Sequence, residues 1–173
     1  RRKAETWRAN DSANTRLSSN FASNKCRLPV PNTGSYNIVG HYGRYTVAGL
    51  SNVTLNNRGV DIRGQQGCCA RSVFEGTVSS VFQYGGSYTV MLRHGSYISV
   101  YSGLSSVNVS KGQRVGIRAN LGSIGANSDG RYVLHFQLRN SNGNQSLNPE
   151  QWIKCMLIIL WFNIKNLIRE IPD

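Results

Sequence analysis

The clearest indication of the fold is EGTVSSVFQYGGSYTVMLRHGSYISVYSGL, residues 75–104. Valine, tyrosine and isoleucine recur in three short runs, and the glycine-containing turns YGGS and HGS separate these runs. β-Branched and aromatic residues favour strands, and successive short glycine turns between such runs are typical of hairpins. We therefore expect an antiparallel meander in this part of the chain.

The flanking segments extend this β pattern in both directions. In KGQRVGIRANLGSIG, residues 111–125, small apolar residues recur between glycines, as in short strands that turn the corners of a compact barrel. In YVLHFQLR, residues 132–139, polar and apolar residues alternate. No useful stretch of helical period interrupts residues 28–147. The sequence predicts an all-β fold, a compact antiparallel β-sandwich or barrel-sandwich, over residues 28–152.

The two ends of the chain differ from this central domain. Residues 1–27 are basic, polar and rich in serine and asparagine, which indicates a linker or the end of a preceding helical region. Residues 153–173 contain an apolar run, 155–162, followed by apolar residues at helical spacing. This run is too short to cross a bilayer. We expect an amphipathic C-terminal helix that docks on its own domain, swaps into a neighbour or pairs a dimer.

The charge balance restricts the partners without selecting one. Twenty lysines and arginines stand against eight acidic residues, which gives a net charge of +12. Such a balance favours acidic partners, among them nucleic acid, anionic lipid and anionic cell-wall polymer. The basic residues are scattered rather than interleaved with aromatic residues along one strand, which argues against nucleic acid.

The cysteines do not form a zinc motif. Cys26, Cys68, Cys69 and Cys155 match no C-x-x-C spacing, which argues against a zinc knuckle. Adjacent cysteines can join only through a strained ring, and we therefore expect Cys68 and Cys69 to be small buried thiols.

Alternation within the strands predicts one polar face. In the last long strand Val133, His135, Gln137 and Arg139 share a face, opposite the apolar set Leu134, Phe136 and Leu138. By the same argument Ile98 and Val100 should point inward, which leaves Tyr101 on the polar face. We expect His135, Arg139 and Tyr101 to line a groove; an ordinary solvated sheet face is the alternative.

The ordered set NNRGVDIRG, the meander, KGQRVGIRANLGSIG, YVLHFQLR and LNPEQW resembles the LytM-like, lysostaphin-type zinc peptidases of bacterial cell walls. The resemblance covers residues 34–152 and implies the duplicated hybrid β motif of that family. It also implies that the first zinc ligand falls on Asn57, the second on Asp61 and the third on His135. The two histidines that assist the attacking water in that family fall on Val133 and Gly103.

Three of these five positions therefore carry a residue unsuited to the family's chemistry. An asparagine amide is a poor substitute for imidazole, and neither valine nor glycine can accept a proton. The resemblance then implies a domain that is not an enzyme and has no cofactor, in which Asp61 and His135 are remaining ligand positions. His94 matches a family position that is not a ligand, and we give His41 no catalytic role.

Domains with missing zinc ligands are similar to the murein hydrolase activator family that includes EnvC. That similarity implies a periplasmic or cell-envelope protein of bacteria whose groove binds a cell-wall amidase or its regulator and relieves autoinhibition during cell separation. Peptidoglycan is a further partner to consider. The predicted docking surface comprises Asn57, Asp61, Arg63, Tyr101, Val133, His135 and Arg139, because arginines pair with carboxylates and tyrosine packs on apolar side chains.

Three alternatives stay open on the sequence. An active zinc endopeptidase would need a substitute ligand such as Cys68, Cys69 or His94. A biotinyl or lipoyl carrier would need a modifiable lysine at a hairpin tip, whereas Lys111 stands where a strand begins. A nucleic-acid-binding domain would show affinity that falls steeply with added salt.

Overall fold

A computed structural model describes residues 2–46, 49, 53–141 and 145–153, with the backbone alone for residues 2–10. Among these residues no helix is long and apolar enough to cross a membrane. The predicted C-terminal helix, residues 153–173, lies outside the described residues except for Ile153.

An antiparallel sheet of eight strands dominates the structure. Seven strands run in the order β1-β4-β11-β8-β7-β6-β9, and β12 pairs with β11 beyond β4. Two smaller sheets, β2–β3 and β5–β10, complete the β structure. The strands are β1 (Asn37–Gly40), β2 (Gly43–Thr46), β3 (Thr54–Asn57), β4 (Val60–Arg63), β5 (Cys69–Arg71), β6 (Gly76–Tyr84), β7 (Ser87–His94), β8 (Tyr97–Leu104), β9 (Arg114–Val115), β10 (Asn120–Ser123), β11 (Val133–Asn140) and β12 (Gln145–Leu147). The prediction of a mostly antiparallel β fold is confirmed.

The predicted meander is the centre of the large sheet. Strands β6 and β7 pair from Thr77↔Arg93 to Tyr84↔Ser87, and β7 and β8 pair down to His94↔Tyr97. The first turn contains Gly85 and Gly86, both with positive φ, as tight two-residue hairpins require. Glycine therefore allows the chain to reverse twice within 30 residues of sequence.

The core lies on one face of this sheet. Leu134, Phe136 and Leu138 of β11 are fully buried there, as their alternation predicts. The prediction for β8 is wrong, because Tyr101 is also fully buried and its ring lies 5.2 Å from that of Phe136. Its hydroxyl accepts a hydrogen bond from the Val73 amide at 3.0 Å, and burial raises the pKa of Tyr101 to about 12.

A helix, α1 (Arg2–Ser23), forms where the sequence indicated a linker or the end of a helical region. It packs on the domain through Phe21, which is fully buried among aromatic rings. The rings of His94 and Tyr97 stack on Phe21 at 4.9 and 4.8 Å, with Phe74 and Trp152 completing the cluster. The Ser18 hydroxyl accepts a hydrogen bond from the Ser96 amide at 2.9 Å. The described end of α1 is therefore part of the folded domain.

The vicinal cysteines are free thiols with different exposure. Cys68 is buried, and Cys69 is partly exposed. Burial, and then the neighbouring Cys69, raise the pKa of the Cys68 thiol. The expectation of a small buried thiol holds for Cys68 but only in part for Cys69.

Candidate functional site

Asp61 and His135 face each other across two neighbouring strands. Asp61 on β4 stands directly opposite His135 on β11 in the antiparallel register. The Nδ1 atom of His135 lies 2.7 Å from Oδ1 of Asp61, and about a third of each side chain is exposed. The pair therefore lies on the solvent-facing side of the sheet, opposite the core.

Asn57 binds the same carboxylate from the preceding hairpin. Its Nδ2 donates to Oδ2 of Asp61 at 2.9 Å, and its Oδ1 accepts the amide of Gly59 at 3.0 Å. An asparagine that accepts an amide two residues ahead stabilises a tight turn. Asn57 thus closes the β3–β4 turn with one end of its side chain and holds Asp61 with the other.

Gln137 and Arg139 extend this contact along β11. The guanidinium of Arg139 donates to Oε1 of Gln137 through Nε at 3.2 Å and through Nη2 at 3.0 Å. Nε2 of Gln137 lies 2.8 Å from Nε2 of His135. The five side chains from Asn57 to Arg139 form one continuous hydrogen-bonded chain, which we call the polar chain: Asn57, Asp61, His135, Gln137 and Arg139.

The direction of the hydrogen bonds fixes the state of His135. A guanidinium can only donate, so Oε1 of Gln137 accepts, and its amide nitrogen must donate toward His135. Nε2 of His135 is then the acceptor, and Nδ1 carries the proton that is donated to Asp61. Both nitrogens of His135 and both oxygens of Asp61 therefore have protein partners.

The two further family positions flank the polar chain. Val133 lies on β11 opposite Arg63 and is partly exposed. Gly103 has φ +94°, and a Cβ added there would lie 2.7 Å from the carbonyl oxygen of Val133. This close approach of β8 and β11 requires glycine at position 103.

The structure brings together most of the predicted docking residues. Asn57, Asp61, His135 and Arg139 belong to the polar chain, and Arg63 and Val133 lie beside it as a cross-strand pair. Tyr101 is absent from this surface because it points into the core. Gln137 was missed as a site residue, although the alternation of β11 places it on the same face as His135.

The other two histidines have separate roles. His94 is fully buried at the end of β7, where its ring nitrogens contact the Glu75 carbonyl and the Ser99 hydroxyl, each at 2.7 Å. Burial lowers the pKa of His94 to about 4. The side chain of His41 is 68% exposed and contacts the Glu150 carboxylate at 3.1 Å. Both His94 and His41 thus pair with groups outside the polar chain. Within the described ranges, no group of three or more His, Cys, Asp or Glu residues is placed so that it could hold a metal ion.

Comparison with protein families assigns the domain to one family. The sequence profile of peptidase family M23 matches residues 55–149, from the β3–β4 hairpin to the 3-10 helix after β12. The chain belongs to peptidase family M23. This match covers more than half of the chain and includes the whole polar chain.

Two curated relatives of this M23 chain are much longer than the region that it shares with them. An uncharacterized protein of Neisseria meningitidis serogroup B is 40% identical over 85 residues, which are 48% of this chain and 14% of that protein. The outer membrane antigenic lipoprotein B of Histophilus somni is 23% identical over 142 residues, which are 78% of this chain and 42% of that protein. The chain thus spans less than half of the length of either relative.

Solved structures share the M23 fold. The antimicrobial peptidase lysostaphin from Staphylococcus simulans has a TM-score of 0.57 and 26% identity, covering 70% of this chain and 51% of that one. The SpoIIQ–SpoIIIAH pore-forming complex gives a TM-score of 0.62 at 21% identity, covering 77% of this chain and 95% of that one. At that lower identity the likeness concerns the fold alone.

Proposed function

We propose that this domain is a non-catalytic M23 member that activates cell-wall hydrolases. Its groove binds a peptide segment of a peptidoglycan amidase or of the amidase's regulator, and this binding relieves autoinhibition during cell separation. The observation that carries the proposal is the polar chain, in which Asp61 and His135 are fully hydrogen-bonded to protein side chains. A site of this kind is prepared for recognition rather than for hydrolysis.

The donor set fits zinc poorly. A catalytic zinc centre needs three protein ligands and an open position, and Asp61 and His135 supply two of them. Asn57 occupies the first ligand position, but its amide nitrogen donates to Asp61 and its oxygen accepts from Gly59. Binding a metal would break both of those bonds and the contact of Gln137 with His135.

The two positions at which the family has assisting histidines, Val133 and Gly103 in this chain, support the same proposal. Neither Val133 nor Gly103 can accept a proton from an attacking water. The backbone at Gly103 also leaves no room for a larger side chain, because even a Cβ would lie 2.7 Å from the Val133 carbonyl oxygen. A hydrolytic role would therefore require a changed backbone and not only a changed residue.

The docking surface comprises the polar chain together with Arg63 and Val133. Arg63 is exposed, and Gln137 orients the partly exposed guanidinium of Arg139 through Nε and Nη2, so both arginines are suited to carboxylates of a bound segment. The likeness to a fold that occurs in the SpoIIQ–SpoIIIAH complex supports binding of a protein partner. The similarity to an outer membrane lipoprotein supports a location in the bacterial cell envelope.

The second candidate is an active zinc murein endopeptidase with a rebuilt metal site. One observation favours it: Asp61 and His135 still face each other at 2.7 Å, in a chain that is 26% identical to the peptidase lysostaphin over their shared region. Peptidoglycan binding without cleavage is the related alternative.

Purified domain assayed on cross-linked murein, alone and together with the cell-wall amidases of the host bacterium, tests the proposal. We expect no release of peptides by the domain alone and several-fold faster release of stem peptides by one amidase in its presence. Arg63→Glu should abolish this activation, whereas Arg131→Glu, an equal charge change at another exposed arginine, should preserve it. Endopeptidase activity of the domain alone, or activation that survives Arg63→Glu, would contradict the proposal.

A further inference from the structure

A second feature of the large sheet is a row of arginines that crosses five strands. In the register, Arg139 of β11 stands opposite Ile98 of β8, and Ile98 stands opposite Arg93 of β7. Arg93 stands opposite Thr77 of β6, and Thr77 stands opposite Arg114 of β9. Directly opposed residues share a face of the sheet. Arg139, Arg93 and Arg114 therefore lie on one face and on alternate strands; we call them the arginine row.

The arginine row is free to bind an acidic partner. Arg93 and Arg114 are exposed, and Arg139 is partly exposed with its guanidinium oriented by Gln137. Among the residues that the structure describes, the salt bridges involve only histidines, so none of the three guanidinium groups pairs with a carboxylate of that part of the chain. Three like charges in one row, none of them paired with a described carboxylate, are typical of a surface that binds an anionic partner.

Two further charged residues lie beside Arg114, at one end of the arginine row. Arg114, Thr77 and the exposed Glu75 line a cavity of about 530 Å³ together with Arg16 of α1. The charges of Arg16 and Glu75 cancel, so these two residues leave the charge of +3 that the three arginines of the row carry unchanged. The residues between the arginines, Ile98 and Thr77, are uncharged and partly exposed. The row therefore presents separated positive charges with neutral contacts between them.

The spacing of the arginine row selects the shape of the partner. Alternate strands lie about 9.6 Å apart, twice the spacing of neighbouring strands. Residues seven apart in an α-helix lie about 10.5 Å apart on nearly the same face. In an extended peptide, the side chains on one face lie about 6.6 or 13.2 Å apart, and neither distance matches the spacing of about 9.6 Å between the arginines. Neutral residues in the intervening turn of a helix would meet Ile98 and Thr77.

We infer that the arginine row binds an acidic α-helix of a partner protein, with carboxylates at seven-residue intervals and neutral residues between them. The helix lies across the strands, over Arg139, Arg93 and Arg114. The row shares Arg139 with the docking surface of the proposed function, but Arg93 and Arg114 lie outside that surface, so this contact can be tested apart from it. Steering by the three arginines speeds association, and the spacing gives specificity.

A pair of synthetic peptides tests this inference on the whole chain. The first is an alanine-rich helix of about 20 residues with three glutamates seven residues apart. The second has the same composition with the glutamates five residues apart, which places them on different faces. Fluorescence anisotropy at low ionic strength measures both dissociation constants, since salt screens exposed charges. We expect the first peptide to bind more tightly than the second.

Matched charge reversals locate the contact. Arg93→Glu should weaken binding of the first peptide about tenfold, as expected for losing one exposed ion pair and adding a repulsion. Arg131→Glu, which changes the charge equally outside both the arginine row and the docking surface, should leave that binding unchanged, and thermal unfolding of both variants checks that they fold. Equal binding of the two peptides, equal weakening by both variants, or no binding at low salt would overturn the inference. So would tighter binding of double-stranded DNA with a steep salt dependence, which would identify a general polyanion surface.

Discussion

At the level of single residues, the polar chain gives both ring nitrogens of His135 a protein partner on a zinc-peptidase fold. Arg139 fixes the amide of Gln137, and Gln137 fixes the tautomer of His135. His135 and Asn57 then share the two oxygens of Asp61. Each hydrogen bond orients the next side chain, so the guanidinium of Arg139 is held in place at one end of the polar chain. Rigid surfaces bind peptide segments with a smaller loss of side-chain entropy.

His94 makes the stability of the domain dependent on pH. The pKa of this histidine is about 4 in the folded protein, because burial disfavours the charged ring, against 6.5 in the unfolded chain. Between these values the unfolded chain binds a proton that the folded protein does not, so the free energy of unfolding falls as the pH falls from 6.5 to 4. The loss contributed by His94 should reach about 3 kcal/mol at pH 4.

Urea unfolding of the wild type and of His94→Gln between pH 7.5 and pH 4 measures this contribution. The variant cannot take up a proton, so the difference in stability between the two proteins should shrink by about 3 kcal/mol as the pH is lowered through this window. Above pH 6.5 the two stability curves should run parallel, which serves as the internal control. Parallel curves across the whole range would show that the unfolding of the domain is not linked to His94.

Single residues are also where sequence reasoning was least complete. Alternation placed His135 and Arg139 on the exposed face correctly, because Leu134, Phe136 and Leu138 on the other face are plainly apolar. In β8 both faces carry apolar or aromatic residues, so alternation could not decide which face is buried. The register with β11 decides it: Tyr101 stands opposite Phe136, and both rings enter the core.

At the level of elements, the approach of β8 to β11 depends on Gly103. Its φ of +94° lies in the left-handed region, and a Cβ would lie 2.7 Å from the Val133 carbonyl oxygen. Gly103→Ala should therefore lower the free energy of unfolding by at least about 2 kcal/mol, from backbone strain and the clash together. The decrease in the urea midpoint measures this loss.

Gly116→Ala provides the matched control for Gly103→Ala. No atom lies within 4 Å of a Cβ added at Gly116, and its φ is not positive. Replacement there should leave stability unchanged or raise it by up to about 1 kcal/mol, because alanine has less freedom in the unfolded chain. If both alanine variants behaved alike, the close contact between β8 and β11 would be refuted.

The elements differ in how far the sequence predicts them. The meander was predictable because glycine turns and β-branched runs are local signals. Helix α1 was only an alternative interpretation, because its polar residues show no apolar stripe and its docking depends on one buried ring, Phe21. A single anchor leaves no periodic pattern, and the ring cluster that receives it comes from distant parts of the chain.

At the level of the whole molecule, the proposed docking surface and the arginine row lie on one face of the large sheet and share Arg139. The proposed docking surface lies around Asp61 and His135, where β4 and β11 meet, whereas the arginine row begins at Arg139 on β11 and crosses β8, β7, β6 and β9. The net charge of +12 predicted an acidic partner, but only the strand order reveals that Arg93, Arg114 and Arg139 share a face. Residues as far apart in sequence as Arg93 and Arg139 form this row, and no local pattern could have indicated it.

The family fold should accept zinc again when its first ligand is restored. Asn57→His would place an imidazole beside Asp61 and His135, which completes the three-ligand set of a catalytic zinc site. We expect less than stoichiometric zinc in the wild type and about one zinc per chain in the variant, after dialysis against micromolar zinc and elemental analysis. Thermal unfolding of the variant should then become sensitive to a chelator.

Asn56→His adds the same imidazole one residue earlier on the exposed strand β3, and it should not raise the zinc content. One zinc per chain in the wild type would instead mean that the polar chain opens to form a metal site, and release of peptides from cross-linked murein by that zinc-bound protein would replace the activator with the endopeptidase candidate.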